Sequence, residues 1–544
     1  MTNLINEKWI PVLRKDGSPD TISPIGLLSD SDDNPVVEIS SARPDFDGAI
    51  MQFLIGVYQV LLSPKDDKEC RDFFKSKPSV DSLKERIDMI APAFVIDEGE
   101  HRFMQDPSVA GSDVWDIKKL LIDIDNTHFI KDGTVQHICP HCAAMALMTL
   151  ELNSPSGGRG HMTSLRGGGP LTTLVCLPDD EKTLWKNIVV NIRSSEQNWS
   201  EESTDVNTED VKRIFPWLMD NMPNSEKIDG DISEIKPGDM HPYHVFFNVS
   251  RRVWIDFKDT VSGECDLCGA KSDSLVKNYW SRPNGIKYDS WNHPLTPYYV
   301  KTDKTGSIEL PVRGKETIGY NNWIGIVYRS PDGSLIPADV VDTFKERFRN
   351  ISDFKINAFG YATDNAKARV WTQHTLPTFP FNENEKYKGI FLTEVSHLIQ
   401  TADNLVYFAV LNIKQSYTKD RESSVYKKGK FLDVKASFWY QTEPLFYETL
   451  PLLMKAIISD SDRGDDEHLA VIECKKNWLK GIRKIVMQIF EERTTIPVNG
   501  GADPGSAARA KRNMLFQFSE KNQKLCKLLD IPYIKENAGG KGKK

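Results

Sequence analysis

The chain has 544 residues, with 69 Lys+Arg against 77 Asp+Glu and a formal net charge of −8. At about 100–200 residues per domain it is long enough for two to four domains. Its 39% hydrophobic and 27% charged residues exclude wholesale disorder or a fibrous chain. The acidic balance excludes a nonspecific nucleic-acid coat, which would be basic, but not a local basic groove.

The opening MTNLINEKWIPVL has no basic segment followed by a long apolar run, so no secretory signal is expected. No uninterrupted apolar run reaches the ~18–20 residues of a membrane span. The richest window, Ile50–Leu62, is short and carries polar residues. These features predict a soluble, cytoplasmic protein with no membrane partner. Short β-like runs are expected at Leu171–Leu177, His244–Val249 and Trp323–Tyr328, and helical stretches at Ser82–Ile90 and Ala143–Leu152.

Two CxxC pairs stand out, Cys139-Pro-His-Cys142 and Cys265-Asp-Leu-Cys268. Two thiolates at this spacing can chelate one ion, and two such pairs complete a tetrahedral four-cysteine site. Two pairs favour structural zinc over reduced thiols with no metal. A closed site of this kind has no open position for water, so it would staple two distant loops without catalysing anything. His137 and His141 flank the first pair and are expected on the surface or behind the ligands. Cys70, Cys176, Cys474 and Cys526 have no partner in sequence and are expected as buried small hydrophobes.

Between the pairs lies SPSGGRGHMTSLRGGGP, residues 154–170, with five glycines and two arginines within a dozen positions from Gly157. Glycine lets a backbone approach a ligand, and exposed N–H groups with Arg suit a phosphate or a groove. The bland alternative is a pair of flexible turns. The loop lacks the Lys-Ser/Thr of a P-loop and the Rossmann spacing. Glu196–Asp239, with SEESTDVNTED near its start, reads as an exposed acidic excursion. His241-Pro-Tyr-His244 offers two histidines in a proline-containing loop, and no HExxH, GxSxG or EF-hand signature is present.

Pro377–Glu385 marks the expected boundary to a helical region. Beyond it Val395, Leu398, Ile399, Ala402, Leu405, Val406, Ala409 and Ile413 fall on one helical face. Further helices are expected at about 433–458, 467–492 and 504–529, the last opened by Asp503-Pro504. The expected fold class is α+β: a large mixed domain over 1–378 holding the four-cysteine zinc site, then a C-terminal antiparallel four-helix bundle over 379–544. Charge is divided too. Residues 468–544 hold 16 Lys+Arg and 7 Asp+Glu, including Lys475, Lys476, Lys480, Arg483, Lys484, Arg509, Lys511 and Arg512. Such a run is either a solvated face or a track for a nucleic-acid backbone.

Taken in order, NLINEKWIPV, the FIKDG segment, both CxxC pairs, SLRGGGP with its threonines, FGYATDNAKA at 359–368 and the C-terminal helices resemble one family. It is the large subunit, CasA, of the type I-E CRISPR surveillance complex Cascade, and the resemblance spans nearly the whole chain. The resemblance implies a non-catalytic DNA-reading subunit. Such proteins inspect the protospacer-adjacent motif (PAM) in duplex DNA from the minor groove and start strand separation. Base pairing with the guide then reads the target. It further implies partners: other Cascade subunits, the CRISPR guide RNA, double-stranded target DNA, the displaced strand, and a recruited helicase–nuclease.

By the same resemblance Gly157, Gly158, Arg159 and Gly160 form the tip of the PAM-contacting loop. The family most often has glycine where Arg159 falls; arginine suits a narrow minor groove. A lysine entering the minor groove corresponds to Arg282 or Lys287. The wedge beneath the PAM, often glutamine, aligns with Asn365, followed by Ala366. Phe129 matches an aromatic on the guide handle, where it can stack on a splayed base. Lys476, Lys480, Arg483, Lys484, Arg509, Lys511 and Arg512 are the candidates for the displaced strand.

Each position has a plainer reading. Asn365 suits a turn, Phe129 a core, and Arg166 a brace for its own glycine turn. Two other functions stay open: a zinc-stabilised nuclease or nucleic-acid-processing enzyme, and a scaffold whose helices only dock partners.

Overall fold

The most apolar helix, Pro44–Leu62, is the centre of the mixed region, with 16 of its 19 residues buried. The computed structural model describes residues 2–124, 133–156, 158, 160–197, 206–228, 231–232, 234–304, 306–364, 367–417, 431–464, 467–495 and 503–534. Among these, Pro44–Leu62 is the one helix long and apolar enough to cross a membrane, and 89% of that stretch is buried inside the fold. It packs on the Pro140–Asn153 helix and on the 3-10 turns of Pro242–Phe247. Gly56 makes the second contact possible, because a Cβ there would stand 2.7 Å from Phe246 Cβ. Phe53, Phe94, Phe103, Phe215, Trp217 and Phe247 meet edge to face around it, with centroids 4.8–5.9 Å apart.

The chain divides into two compact units, Met1–Glu316 with Pro337–Thr378, and Thr317–Ile336 with Phe379–Lys544. The first is mixed α and β. Three antiparallel three-stranded sheets carry it. Ile10–Arg14 lies between Pro19–Ile22 and Val36–Ile39. Asn278–Arg282 lies between Asp113–Asp116 and Arg252–Ile255. Lys355–Asp364 lies between Lys367–Pro377 and Thr172–Cys176. A network of buried charge ties this last sheet to the start of the core helix. Arg43 reaches Asp45 and Asp123, each at 2.9 Å, and Tyr361 Oη donates to Asp45 Oδ2 at 2.5 Å.

The strand expected at Leu171–Leu177 is present as Thr172–Cys176, and the helices expected at Ser82–Ile90 and Ala143–Leu152 as Val80–Ile90 and Pro140–Asn153. Other expectations fail. His244–Val249 is not a strand. Proline at the start of Pro242–Phe247 and the His241 side chain accepting from Tyr243 N set helical turns there. Trp323–Tyr328 turns as well, through Trp323–Ile326 with Gly325 at φ +95°. An unbroken apolar run does not distinguish strand from buried helical turn. Nor is Glu196–Asp239 wholly an exposed excursion, since Val211, Ile214, Phe215 and Trp217 enter the aromatic core. Four apolar anchors outweighed the acidic average of the segment.

The second unit is helical: Lys388–Tyr417, Leu432–Arg463, Leu469–Thr495, Pro504–Gln517 and Gln523–Leu529. The eight apolar residues expected on one face of the first are all buried. Gly464, at φ +61°, ends the second helix, and the Asp460 carboxylate accepts from Ala470 N and Val471 N, both at 3.0 Å, at the start of the third. Tyr320 stacks on Phe446 at 4.5 Å and bonds Thr442 at 2.9 Å, which fixes Thr317–Ile336 to these helices. The expected helix over 504–529 is two helices. The Asn522 side chain accepts from Lys524 N and Leu525 N, starting a new helix after Phe518 closes the old one.

Candidate nucleic-acid interface and metal centre

Cys139 is the N-cap of the Pro140–Asn153 helix, its sulfur accepting from Cys142 N at 3.4 Å. The second pair occupies the turn between strands Thr260–Glu264 and Lys271–Val276, where Gly269 at φ +72° donates its N–H to Cys265 O at 2.8 Å. Ile138 and Val276 exchange both main-chain hydrogen bonds, at 3.1 and 2.9 Å. Asp266 Oδ2 accepts from Gln136 N at 2.7 Å and His137 N at 2.8 Å. These bonds bring the two turns together. The four sulfurs lie within 4.8 Å of one another, with Cys139 and Cys268 sulfurs 3.8 Å apart. Metal–sulfur bonds of about 2.3 Å in a tetrahedron separate sulfurs by about 3.8 Å, so the four cysteines can hold one metal ion. Hydrogen bonds from Cys139 and Cys142 hold the Cys265 thiol down, and the Cys268 thiol down to about 7, while the same contacts push Cys139 and Cys142 up. His137 faces Asp266 at 3.9 Å and His141 packs on the Trp9 ring, so neither joins the cluster. Of the other cysteines, Cys70 and Cys526 are buried, and Cys176 and Cys474 half-buried.

The helix that starts at the cysteines ends at the glycine loop. Of its tip, Gly158 and Gly160 are described, at φ +95° and +81°; Gly157 and Arg159 lie outside the described residues, as do Phe129, Asn365 and Ala366. Gly160 rests on the turn that follows Arg282. Asn284 N donates to Gly160 O at 2.5 Å, and a Cβ on Gly160 would meet Pro283 Cβ at 2.6 Å. The loop's far end rests on the strand that leads to Asn365. A Cβ on Gly169 would lie 2.8 Å from Tyr361 O, and Gly314 N donates to Gly169 O at 2.8 Å. The structure therefore gathers the glycine loop, the Arg282 turn and the Thr363 end of strand Lys355–Asp364 in one place.

The two candidate cations differ. Arg282 is exposed and has no ion pair among the described residues, whereas Lys287 is paired with Glu234. Arg166 is buried and bonds Thr172 Oγ1 at 2.9 Å, Thr296 Oγ1 at 3.1 Å and Gln52 Oε1 at 2.7 Å. Burial lowers its pKa to about 10. Its bonds run to the core helix, to Leu152 O at 3.4 Å and to the two threonines, not to the glycines that follow it. Sequence reasoning missed the support beneath the loop. Glu151, fully buried, accepts from Ser250 N at 2.6 Å and Arg251 N at 2.9 Å, and Arg251 Nη2 donates to Pro155 O at 2.5 Å. Burial pushes the Glu151 carboxyl up to about 8. Only an unusual Glu inside the apolar run Ala143–Leu152 hinted at it.

In the helical unit Lys476 pairs with Glu520 at 3.2 Å, Lys480 with Glu473 at 3.9 Å and Lys511 with Glu491 at 2.8 Å. Arg483, Lys484 and Arg512 have no carboxylate partner among the described residues, and Arg509 donates to Ser506 Oγ at 3.2 Å. Lys475 is buried against Glu394 at 2.5 Å and lies 3.7 Å from Asp530. Glu394, His397 and Asp530 have metal-ligand spacing, but this ammonium already supplies the cation.

The sequence matches the family of CRISPR-associated protein Cse1 over residues 3–489. Among solved structures, Cse1 of Thermobifida fusca has a TM-score of 0.65 at 14% identity, covering 98% of this chain and 98% of that one. CasA of Thermus thermophilus gives 0.62 at 14% identity, over 95% and 99%. A chain of a CRISPR RNA-guided surveillance complex gives 0.63 at 14% identity, over 95% and 99%. At such identities the structures establish a shared fold, and the family match over nearly the whole chain establishes kinship. The chain belongs to the CRISPR-associated Cse1 family, the CasA large subunit of type I-E Cascade to which its ordered motifs pointed.

Proposed function

We propose that this chain is a non-catalytic, cytoplasmic DNA-recognition subunit of an RNA-guided Cascade complex. It works with the other subunits and the guide RNA. It reads the PAM of duplex DNA from the minor groove, begins strand separation, steadies the displaced strand and recruits the helicase–nuclease. The mixed domain, residues 1–378, carries the reading loop and a structural zinc on Cys139, Cys142, Cys265 and Cys268. The helices of 379–544 carry the basic face formed by Lys476, Lys480, Arg483, Lys484, Arg509, Lys511 and Arg512. Gly157–Gly160 approach the groove, Arg282 or Lys287 enters it, Asn365 with Ala366 wedges beneath the PAM, and Phe129 stacks on the guide handle.

The observation that supports this most is the seating of Gly160 on Asn284. It seats the loop on the turn two residues beyond Arg282, which is exposed and has no ion pair among the described residues; an exposed cation beside a glycine backbone suits a narrow groove. Exposed Arg282 is favoured over Lys287, whose charge Glu234 already engages. Binding of the assembled complex to duplexes with and without the PAM tests the reading. PAM-dependent binding that survives Arg159→Ala, Arg282→Ala, Lys287→Ala and Asn365→Ala together refutes it.

A further inference from the structure

The sheet of Asp113–Asp116, Asn278–Arg282 and Arg252–Ile255 has a cavity on each face, and their chemistries are opposed. In register, Trp115 sits opposite Tyr279, and Ser281 opposite Val253. That face looks into a cavity of about 200 Å³, which Ile122 and Leu150 help close. Trp280 sits opposite Trp254 on the other face, beside a cavity of about 630 Å³.

Charge separates the two. The larger cavity is edged by Glu100, Asp220 and Asp256, and the Arg102 guanidinium already lies 4.1 Å from the Trp254 ring centre. Its three carboxylates outnumber Arg102 and Lys258 and repel a phosphate. The smaller cavity is lined by Lys119, His161 and Arg251, and by no carboxylate among the described residues that line it. Lys119 Nζ lies 5.5 Å from the Trp115 ring centre. Arg251 is 9% exposed, and its Nε has no hydrogen-bond partner among the described residues. His161 follows Gly160 directly, and burial with neighbouring Arg251 lowers its pKa. A neutral imidazole offers one donor and one acceptor to a base edge.

We propose that this smaller cavity holds one unstacked nucleotide of a single strand, its base against Trp115 and Tyr279 and its phosphate toward Lys119 and Arg251. Aromatic faces with flanking cations bind single-stranded nucleic acid in this way, with little preference among bases. The inference rests on the proposed duplex-opening function and deepens it. The cavity shares Pro155 and His161 with the reading loop, so a base released beside the PAM has an adjoining place to rest. A nucleotide of the guide RNA has the same chemistry and is the second source.

The test uses the full chain assembled with guide RNA. Single 5-iodouracil substitutions are placed along the target strand, the displaced strand and the guide, followed by long-wavelength irradiation and peptide mass spectrometry. The expected result is an adduct on Trp115 or Tyr279 from one position. Trp115→Ala abolishes it and weakens target binding at least about fivefold, the scale of one stacked base. Trp115→Phe retains binding within about threefold, which separates stacking from folding. Adducts from DNA strands alone identify target DNA as the source, and adducts from the guide alone identify RNA. No adduct on either residue from any position overturns the inference. Discrimination between PAM and non-PAM duplexes is measured on the same complexes. Intact discrimination without adducts sinks the pocket and leaves PAM reading standing; adducts without discrimination do the reverse.

Discussion

Asn284 donates its main-chain N–H to the carbonyl oxygen of Gly160 at 2.5 Å, joining a loop and a turn far apart in sequence. The contact leaves no room for a side chain on Gly160, whose φ of +81° is also left-handed. Gly160→Ala should therefore unseat the loop. A left-handed alanine costs about 1–2 kcal/mol, and the clash with Pro283 adds to it. The expected outcome is at least a tenfold loss of binding to PAM-containing duplex, with a Tm close to that of the parent. Gly158→Ala, with nothing within 4 Å of the added Cβ, should cost less in the same competition assay.

Arg282 and Lys287 should separate under salt. Arg282 is exposed and without an ion pair among the described residues, while Lys287 must leave Glu234 to reach a phosphate or a base. Arg282→Ala should weaken duplex binding about tenfold and, if it meets one phosphate, lower the slope of log K against log salt by about 0.9. Lys287→Ala should change binding less than threefold. A larger loss from Lys287→Ala than from Arg282→Ala would reverse the assignment.

Charge reversal on the helical unit should be blind to sequence. Arg483→Glu, Lys484→Glu and Arg512→Glu together should weaken binding to PAM and non-PAM duplexes by the same factor, more at low salt than at high. A loss confined to PAM duplex would contradict a backbone track. Gel-shift titrations at two salt concentrations measure it.

Elemental analysis should find about one zinc per chain. Cys265→Ser removes a ligand and the acceptor of the Cys139 N–H at 3.3 Å, so it should lower both zinc content and Tm. Because thiolates bind metal and thiols do not, zinc retention should fall as pH drops. Unchanged Tm together with no metal in the parent chain would remove zinc from the account.

Glu151 should give the stability curve a slope near neutrality. Burial raises its carboxyl to about 8, above the ~4.3 of an unfolded chain. The folded state thus keeps a proton that the unfolded state releases. This contribution is complete below about pH 4.3 and is lost as pH rises through about 8, at up to about 1.4 kcal/mol per pH unit. Glu151→Gln should flatten denaturant-measured stability between pH 6 and 8. A slope unchanged by the substitution would mean that the carboxyl ionises at its ordinary pKa.

Much of this was legible in the residues. The Val395–Ile413 face was visible because helical periodicity is local, and the cysteine pairs because chelation fixes their spacing. The seat of the glycine loop was not. Pro283-Asn284-Gly285 signals a turn, but nothing in it signals that Gly160 lies against it, since main-chain hydrogen bonds carry no sequence code. Glu151 was hidden for a related reason: its partners are the backbone N–H groups of Ser250 and Arg251. The strands that carry Trp115, Trp254 and Trp280 were not read from the sequence, and only the register shows which of these rings share a cavity with cations.

Gly169, Gly314 and Gly360 have one further consequence. At each, an added Cβ would strike main-chain atoms, Tyr361 O at 2.8 and 2.4 Å and Pro170 O at 2.5 Å. A side-chain obstacle can be trimmed by a second mutation; a peptide group cannot. Suppressor screens starting from alanine at any of the three should return only true revertants, whereas at Gly158 an added Cβ meets open space and only the left-handed backbone, φ +95°, resists substitution. Inheritance is thus partitioned around one short loop: a base frozen by backbone contact, and at Gly158 a point where backbone conformation alone limits what can be inherited.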